Sequence, residues 1–158
     1  MSLIEPARLP EDVPEIRTLW REYAQSLGID LGFQDFDAEL ATLPGKYAAP
    51  RGRLLLARRG PRVLGGVALR PVNEDTCEMK RLFVRAEARG EQLGRRLAER
   101  ICEEARAAGY RHICLDTLAS LEAALRLYTS MGFRPIPPYV FNPMPDALYL
   151  GLDLSVEP

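Results

Sequence analysis

The sequence contains few cysteines and histidines, the residues that most often build zinc sites and disulfide frameworks. Its three cysteines are Cys77, Cys102 and Cys114, and its one histidine is His112. The cysteine spacings match neither a zinc-binding pattern nor a C-x-x-C redox pair, and no partner stands at metal-ligand spacing from His112. We therefore expect no metal site and no disulfide, with the cysteines buried as small hydrophobic residues.

Long apolar segments are also missing. No apolar run of signal-peptide type stands near residue 1, and no run reaches the ~18 residues that indicate a membrane-spanning helix. We therefore expect a cytoplasmic protein that does not bind a membrane. Two phosphate-binding motifs are absent as well, the Gly-Lys-Ser/Thr of P-loop proteins and the Gly-x-Gly-x-x-Gly of dinucleotide folds, which argues against both classes.

The chain has no large excess of charge. Its formal net charge is −1, which argues against a dedicated nucleic-acid-binding protein. Residues 1–50 contain nine acidic and four basic residues, whereas residues 51–158 contain 13 acidic and 17 basic residues. A basic second part suits a phosphate-bearing ligand and an acidic first part suits a cationic co-substrate, although uneven surface charge without a function explains the same numbers.

The apolar pattern indicates one globular domain over residues 1–158. Hydrophobic residues make up 47% of the chain, an average value, and this length buries enough surface to fold without disulfides. The periodicity predicts the order α-α-β-β-β-α-β-α-β-β, with helices packed on one sheet and Ser120 as the N-cap of the last helix. The predicted helices cover residues 11–27, part of 33–47, 93–108 and 121–131, and the predicted strands cover 53–59, 63–69, 76–84, 112–116, 133–136 and 147–154.

Residues 89–96, Arg-Gly-Glu-Gln-Leu-Gly-Arg-Arg, form a glycine-containing loop between a predicted strand and a predicted helix. Such a loop offers unpaired backbone N–H groups to an anion, and the helix dipole favours negative charge there. Three arginines add positive charge, so the pyrophosphate of a coenzyme is the expected anion. A glycine-containing helix start with solvated arginines is the structural alternative.

This loop, followed by Leu-Tyr-Thr-Ser-Met-Gly-Phe at 127–133, resembles the GNAT acetyltransferase superfamily, in particular its single-domain bacterial members. The family loop reads Gln/Arg-x-x-Gly-x-Gly/Ala, and a later helix often ends in Leu-Tyr-x-x-x-Gly-Phe. The second motif matches in full. The first matches at Arg89 and Gly94, with Gln92 in place of the middle glycine. The resemblance covers residues 76–133 by motif and the flanks by element order.

The resemblance implies an α/β (α+β) fold, the GNAT acyl-CoA N-acyltransferase fold, whose mixed, mostly antiparallel sheet is flanked by helices. It implies that residues 76–133 form an acetyl-CoA-binding core. In the family, the strand before the loop splays from its neighbour and its backbone pairs with the pantetheine amides. Many relatives carry an asparagine where Leu121 stands, so Ser120 or the carbonyl of Thr117 is expected to take its place. The residues so assigned to acetyl-CoA are Leu82, Phe83, Val84, Arg89, Gly90, Glu91, Gln92, Leu93, Gly94, Arg95 and Ser120.

Acetyl transfer to an amine needs a base for the amine and an acid for the departing thiolate. By resemblance, Tyr128 is the general acid, and a core tyrosine is the alternative. Glu78 is the first candidate for the base, against an ordinary salt-bridging role. The competing bases are Glu74, Asp116 and water. Lys80 and Arg81 are expected on opposite faces of their strand, so that only one could reach a carboxylate on the acceptor.

The resemblance implies an acyltransferase that moves acetyl from acetyl-CoA directly to the amine of a small molecule. A protein N-terminus or lysine is an alternative acceptor, and a non-catalytic acyl-CoA-binding module is an alternative of another class. Residues 1–50, with Phe33 and Phe36, and the proline-rich loop at residues 135–146 are expected on the acceptor side. The loop residues concerned are Tyr139, Phe141 and Asn142. Neither a metal nor nucleic acid is expected, and homodimers are common in the family.

Overall fold

The computed structural model describes residues 2–155, apart from the side chains of Phe33 and Gln34. This part of the chain forms a seven-stranded sheet and four α-helices. The helices are α1 Val13–Leu27, α2 Phe36–Ala41, α3 Leu93–Ala107 and α4 Glu122–Ser130, and the strands are β1 Leu3–Pro6, β2 Arg53–Arg59, β3 Arg62–Pro71, β4 Thr76–Val84, β5 His112–Leu118, β6 Arg134–Pro135 and β7 Ala147–Asp153.

The sheet is mixed and mostly antiparallel. Its strand order is β1-β2-β3-β4-β5-β7-β6, and β4 with β5 is its one parallel pair within residues 2–155. Parallel neighbours need a long connection, and α3 supplies it between β4 and β5. The predicted fold class, a mixed and mostly antiparallel sheet flanked by helices, is therefore confirmed.

Helices cover both faces of the sheet. On one face α3 and α4 pack on the strands, with Leu97 and Ile101 fully buried. On the other face lie α1 and α2, and Trp20 is buried against β2 and β3. Successive residues of a strand point to opposite faces, so the neighbours Leu55 and Leu56 of β2 enter different core clusters. The strands read as nearly continuous apolar runs because both of their faces are buried.

Two sequence predictions about local structure were wrong. Strand β1 was missed because its four residues are too few for a periodic signal and it ends in proline, as an edge strand can. Ser120 is not the N-cap of α4, since that position falls on Leu121 and no side chain caps the helix. By contrast, the burial of Cys77, Cys102 and Cys114 as free thiols is confirmed.

Candidate active site

Strands β4 and β5 separate along their length and leave a cleft in the sheet. They are paired at three positions, where Thr76, Cys77 and Glu78 lie opposite residues 112–114. Beyond Glu78 the strands diverge, and residues 79–82 of β4 then face residues 115–118 of β5 across a cavity of about 100 Å³. Strand backbone at this edge therefore lies open to the cavity, as an extended ligand with amide groups requires.

The cleft is bounded by elements from both faces of the sheet. Helix α1 contributes Tyr23, and α4 contributes Tyr128. Leu121 and Asn142 complete the wall from the connections on either side of α4. Sequence positions that are more than 100 residues apart thus meet at one opening.

A β-bulge in β4 shapes the floor of the cleft. Phe83 pairs with Gly66 and Lys80 with Ala68, so that Arg81 and the residue after it lie opposite a single residue of β3. Arg81 has a left-handed backbone, with φ +60°. Such a conformation costs about 1–2 kcal/mol in a residue with a side chain, and it occurs here where the strand must bend.

The bulge places Lys80 and Arg81 on the same face, and the prediction that only one faces the cleft is wrong. Both line it. Lys80 is paired with Ala68, a residue of the cluster under α1 and α2, and the Arg81 guanidinium lies 5.0 Å from the centre of the Phe36 ring in that cluster. Alternation of side chains fails at a bulge because one extra residue is inserted. Arg81 also forms an ion pair with Glu39 at 2.9 Å.

The loop before α3 passes through left-handed backbone conformations and leads directly into the helix. Gly90 has φ +120° and Gln92, the N-cap of α3, has φ +54°. Gln92 therefore holds the left-handed conformation for which glycine is the usual residue. The first N–H groups of α3 have no acceptor within the helix. An added Cβ at Gly90 would meet nothing within 4 Å, so this glycine is required by its dihedral angle and not by lack of space.

The side chains around the loop are turned in different directions. The Glu91 carboxylate accepts a hydrogen bond from the Ser2 N–H at 3.2 Å and pairs with Arg59, so its charge is neutralised away from the helix start. Arg95 donates to Ser130 Oγ at 2.6 Å, which ties α3 to the end of α4. Arg89 is exposed. The positive charge at the helix start is therefore not cancelled by the acid within the loop.

Tyr128 is at once a core residue and a wall of the cleft. It is buried against Phe133, with ring centres 5.6 Å apart, and it lines the opening between β4 and β5. Burial, with smaller effects of Tyr23 and Cys102, raises the pKa of its hydroxyl. The hydroxyl therefore keeps its proton at neutral pH and is in the form that an acid needs.

The candidate bases lie at different distances from the opening. Glu78, at the last paired position, is buried, and its oxygens accept hydrogen bonds from Arg70 Nε at 2.9 Å and Tyr139 Oη at 2.6 Å. Asp116 lines the cleft and accepts a hydrogen bond from Asn142 Nδ2 at 3.0 Å. Glu74 is exposed in the turn before β4 and does not line the cleft.

The proline-rich loop before β7 closes over this side of the sheet. Its Tyr139 and Asn142 bind the two carboxylates of the site, and the Tyr149 hydroxyl donates to the carbonyl of Val140 at 2.9 Å. Phe141 is 75% exposed beside these anchors. The sequence indicated Tyr139, Phe141 and Asn142, but it contained no signal that two of them would bind Glu78 and Asp116.

Two sequence-predicted positions, Ser120 and Phe36, do not line the opening. Ser120 is exposed and its N–H donates to Asp146 Oδ2 at 3.2 Å, whereas the neighbouring Leu121 and Thr117 line the cleft. Phe36 is buried under Arg81. The side chain of Phe33 lies outside the described residues.

Residues 2–155 contain no cluster of three or more histidine, cysteine, aspartate or glutamate residues that could hold a metal ion. Over the same residues, none of the helices has the length and apolar character needed to cross a membrane.

Several known proteins are similar to this chain in sequence. A family model described as the acetyltransferase (GNAT) family matches residues 13–133. An uncharacterized N-acetyltransferase of Schizosaccharomyces pombe is 43% identical over 154 residues, which cover 96% of this chain and 94% of that protein. An IAA acetyltransferase of Azospirillum brasilense is 41% identical over 105 residues, covering 65% of this chain and 69% of that protein.

Solved structures agree in fold at lower identity. An acetyltransferase of Streptococcus agalactiae superposes with a TM-score of 0.79 at 23% identity, covering 96% of this chain and 98% of that one. The structure of YncA from Salmonella typhimurium with its cofactor acetyl-CoA gives 0.73 at 20% identity, covering 100% and 96%. These structures show the fold, while the family match over residues 13–133 and the 43% identical relative show that the chain belongs to the GNAT acetyltransferase family and is an N-acetyltransferase.

Proposed function

We propose that the protein transfers an acetyl group from acetyl-CoA directly to the amine of a small molecule. The observation that carries the proposal is the cleft between β4 and β5, which opens beside a bulged strand and close to the glycine-containing start of α3. Open strand backbone suits the amide groups of pantetheine, and a helix start suits pyrophosphate. Strand β4 connects the two features, because its residues line the cleft and the chain then continues into the loop that begins α3.

On this proposal, the donor is held mainly by backbone groups. Leu82, Phe83 and Val84 provide the open edge of β4 on the side away from β3. Residues 89–95 form the loop and first helical turn that would receive the pyrophosphate, with Gly90 and Gln92 in the left-handed conformations that turn the chain. Glu91 contributes by stabilising the loop, since its carboxylate is bound to Ser2 and Arg59. Ser120 would contribute only from the outer rim of the cleft.

Acetyl-CoA supplies an activated acyl group and a thiol leaving group. Tyr128 is the proposed acid for the thiolate. Its ordinary pKa of about 10 lies only a little above the ~8.5 of a free thiol. The same burial that raises the pKa of Tyr128 would raise that of a thiol in the cleft, so the proton transfer stays close to balanced. A backbone N–H of residues 82–84 is the proposed donor to the thioester carbonyl.

The acceptor amine must lose a proton before it attacks. For an amine of pKa ~10.4 this costs about 4–5 kcal/mol at pH 7. Glu78 is the proposed base, with Asp116 as its competitor. Glu78 lies where the strands begin to part, and Tyr139 connects it to the proline-rich loop. Asp116 has the more direct position, in the wall of the cleft. A water between either carboxylate and the amine would complete the proton path.

The acceptor is proposed to enter between α1, α2 and the proline-rich loop. A cavity of about 100 Å³ supports a small amine. A protein acceptor is the alternative, and a ribosomal-protein-S18-alanine N-acetyltransferase of Escherichia coli shares the fold at 20% identity with a TM-score of 0.74. A non-catalytic acyl-CoA-binding module is the other alternative. Cytoplasmic location is a prediction from the sequence, and a homodimer is what the family resemblance implies.

The direct test combines two measurements. A panel of small amines is offered with acetyl-CoA while free thiol is followed, and CoA binding is measured separately by isothermal titration calorimetry. We expect CoA binding and amine-dependent thiol release. Binding without release for any small amine would favour a protein acceptor or a binding module, and absence of CoA binding would overturn the proposal.

A further inference from the structure

Lys80 lies inside the cleft, where a surface-seeking side chain is not expected. It is 6% exposed and lines the opening together with Tyr128 and Asp116. Its pairing with Ala68 places it on the face of the sheet that α1 and α2 cover, the face proposed for the acceptor. A lysine is almost never this deeply buried unless it is paired, and the carboxylates of Glu78 and Asp116 both act on this one.

The surroundings of Lys80 combine burial with carboxylates. Burial lowers the pKa of its ammonium group, while Glu78 and Asp116 act in the opposite direction. The guanidinium groups of Arg81 and Arg70 add to the lowering. The neutral amine is therefore more populated than in an exposed lysine, and two carboxylates are close enough to influence its proton.

Lys80 therefore meets three conditions of an acceptor amine: a larger neutral fraction than an exposed lysine has, neighbouring carboxylates, and a position in the wall of the cleft proposed for acetyl-CoA. We propose that Lys80 Nζ is an internal acceptor, so that the enzyme acetylates its own Lys80 when acetyl-CoA is bound and no external amine is present. The inference rests on the proposed function, because acetyl-CoA is the acetyl donor.

The chemistry is that of the external reaction. The lone pair of Nζ forms a C–N bond to the thioester carbonyl carbon, and the C–S bond breaks. The amine loses one proton to a carboxylate, and the thiolate gains one, with Tyr128 as the donor. The products are one acetamide on Lys80 and one free CoA thiol, so no further reactant is needed.

The small number of lysines in the chain makes the site of acetylation easy to assign. Its 158 residues contain two lysines, Lys46 and Lys80. Lys46 is exposed in the 3-10 turn Gly45–Tyr47 and does not line the cleft. Uncatalysed acetylation by a thioester would favour the exposed Lys46, whereas catalysis in the cleft would favour the buried Lys80.

The experiment incubates the full chain with trideuterated acetyl-CoA in the absence of amine, so that acetyl groups acquired during expression are distinguished by mass. Intact mass spectrometry and peptide mapping then locate the label. We expect one labelled acetyl group on Lys80, unchanged labelling in Lys46→Arg and loss of the label in Lys80→Arg. If Lys80→Arg fails to fold, the peptide map of the labelled wild-type protein still shows whether Lys80 is acetylated.

Addition of an accepted amine should slow the labelling, because both amines compete for the same thioester. Label on Lys46 or on the N-terminal amine, with none on Lys80, would overturn the inference. CoA binding is measured on the same sample: a protein that binds CoA and acetylates small amines but leaves Lys80 unlabelled refutes this inference alone, whereas a protein that does not bind CoA refutes the proposed function as well.

Discussion

Replacement of Tyr128 by phenylalanine removes one oxygen from the cleft and leaves the ring in place. The ring contact with Phe133 is kept, so we expect the free energy of unfolding to change by no more than about 1 kcal/mol. The lost hydroxyl is the proposed proton donor to the thiolate. General acid catalysis contributes about 100- to 10,000-fold to a rate, which corresponds to roughly 3–5 kcal/mol of barrier.

The assay measures kcat by thiol release with the best amine of the panel, and CoA affinity by calorimetry. We expect kcat of Tyr128→Phe to fall by about 100-fold or more, with CoA affinity unchanged. Tyr110→Phe is the matched control, because Tyr110 is also buried but donates its hydrogen bond to the carbonyl of Arg51, outside the cleft. It should lose some stability and no turnover. Full turnover in Tyr128→Phe would refute the acid assignment.

Two further predictions concern the loop and the thiols. Gln92→Gly should raise the free energy of unfolding by about 0.5–1 kcal/mol. The left-handed backbone at Gln92 costs about 1–2 kcal/mol, and glycine removes that cost. Glycine also adds entropy to the unfolded chain, which lowers stability by the smaller amount of about 0.4–1 kcal/mol. A lower urea midpoint would show that the Gln92 side chain stabilises the loop. Burial raises the pKa of the Cys102 and Cys114 thiols to about 11 and that of Cys77 further. At pH 8 the native protein should therefore react slowly with Ellman's reagent, while the urea-unfolded chain reacts at all three cysteines. Rapid reaction of the native protein would contradict the burial of the three thiols.

The sequence predicted well wherever local pattern and burial agree. The bounds of β2 and β4 were predicted to the residue, because apolar runs there are closed by Gly60-Pro61 and by the polar turn before Thr76. The start of α3 at Leu93 was also predicted, from the glycine-containing loop that precedes it. Strand β1 was not, since four residues at a sheet edge leave no periodic signal.

The parts of the site that were not predicted depend on tertiary structure. The bulge at Arg81 depends on the register of β4 on β3, and next to it the two strands approach so closely that a Cβ at Gly65 would lie 2.7 Å from the carbonyl oxygen of Phe83. The hydrogen bond from Tyr139 to Glu78 joins residues 61 positions apart. Local sequence patterns do not encode such pairings, so the hydrogen bonds from the proline-rich loop to Glu78 and Asp116 were found only in the structure.

The proposed binding path for acetyl-CoA runs from the open edge of β4 to the first turn of α3. Hydrogen-exchange mass spectrometry with and without CoA tests it directly. Bound CoA should slow exchange in the segments that contain residues 82–84 and 92–95, with little change in β1 and β2. Unchanged exchange in both segments at saturating CoA, or protection confined to another surface, would contradict the claim.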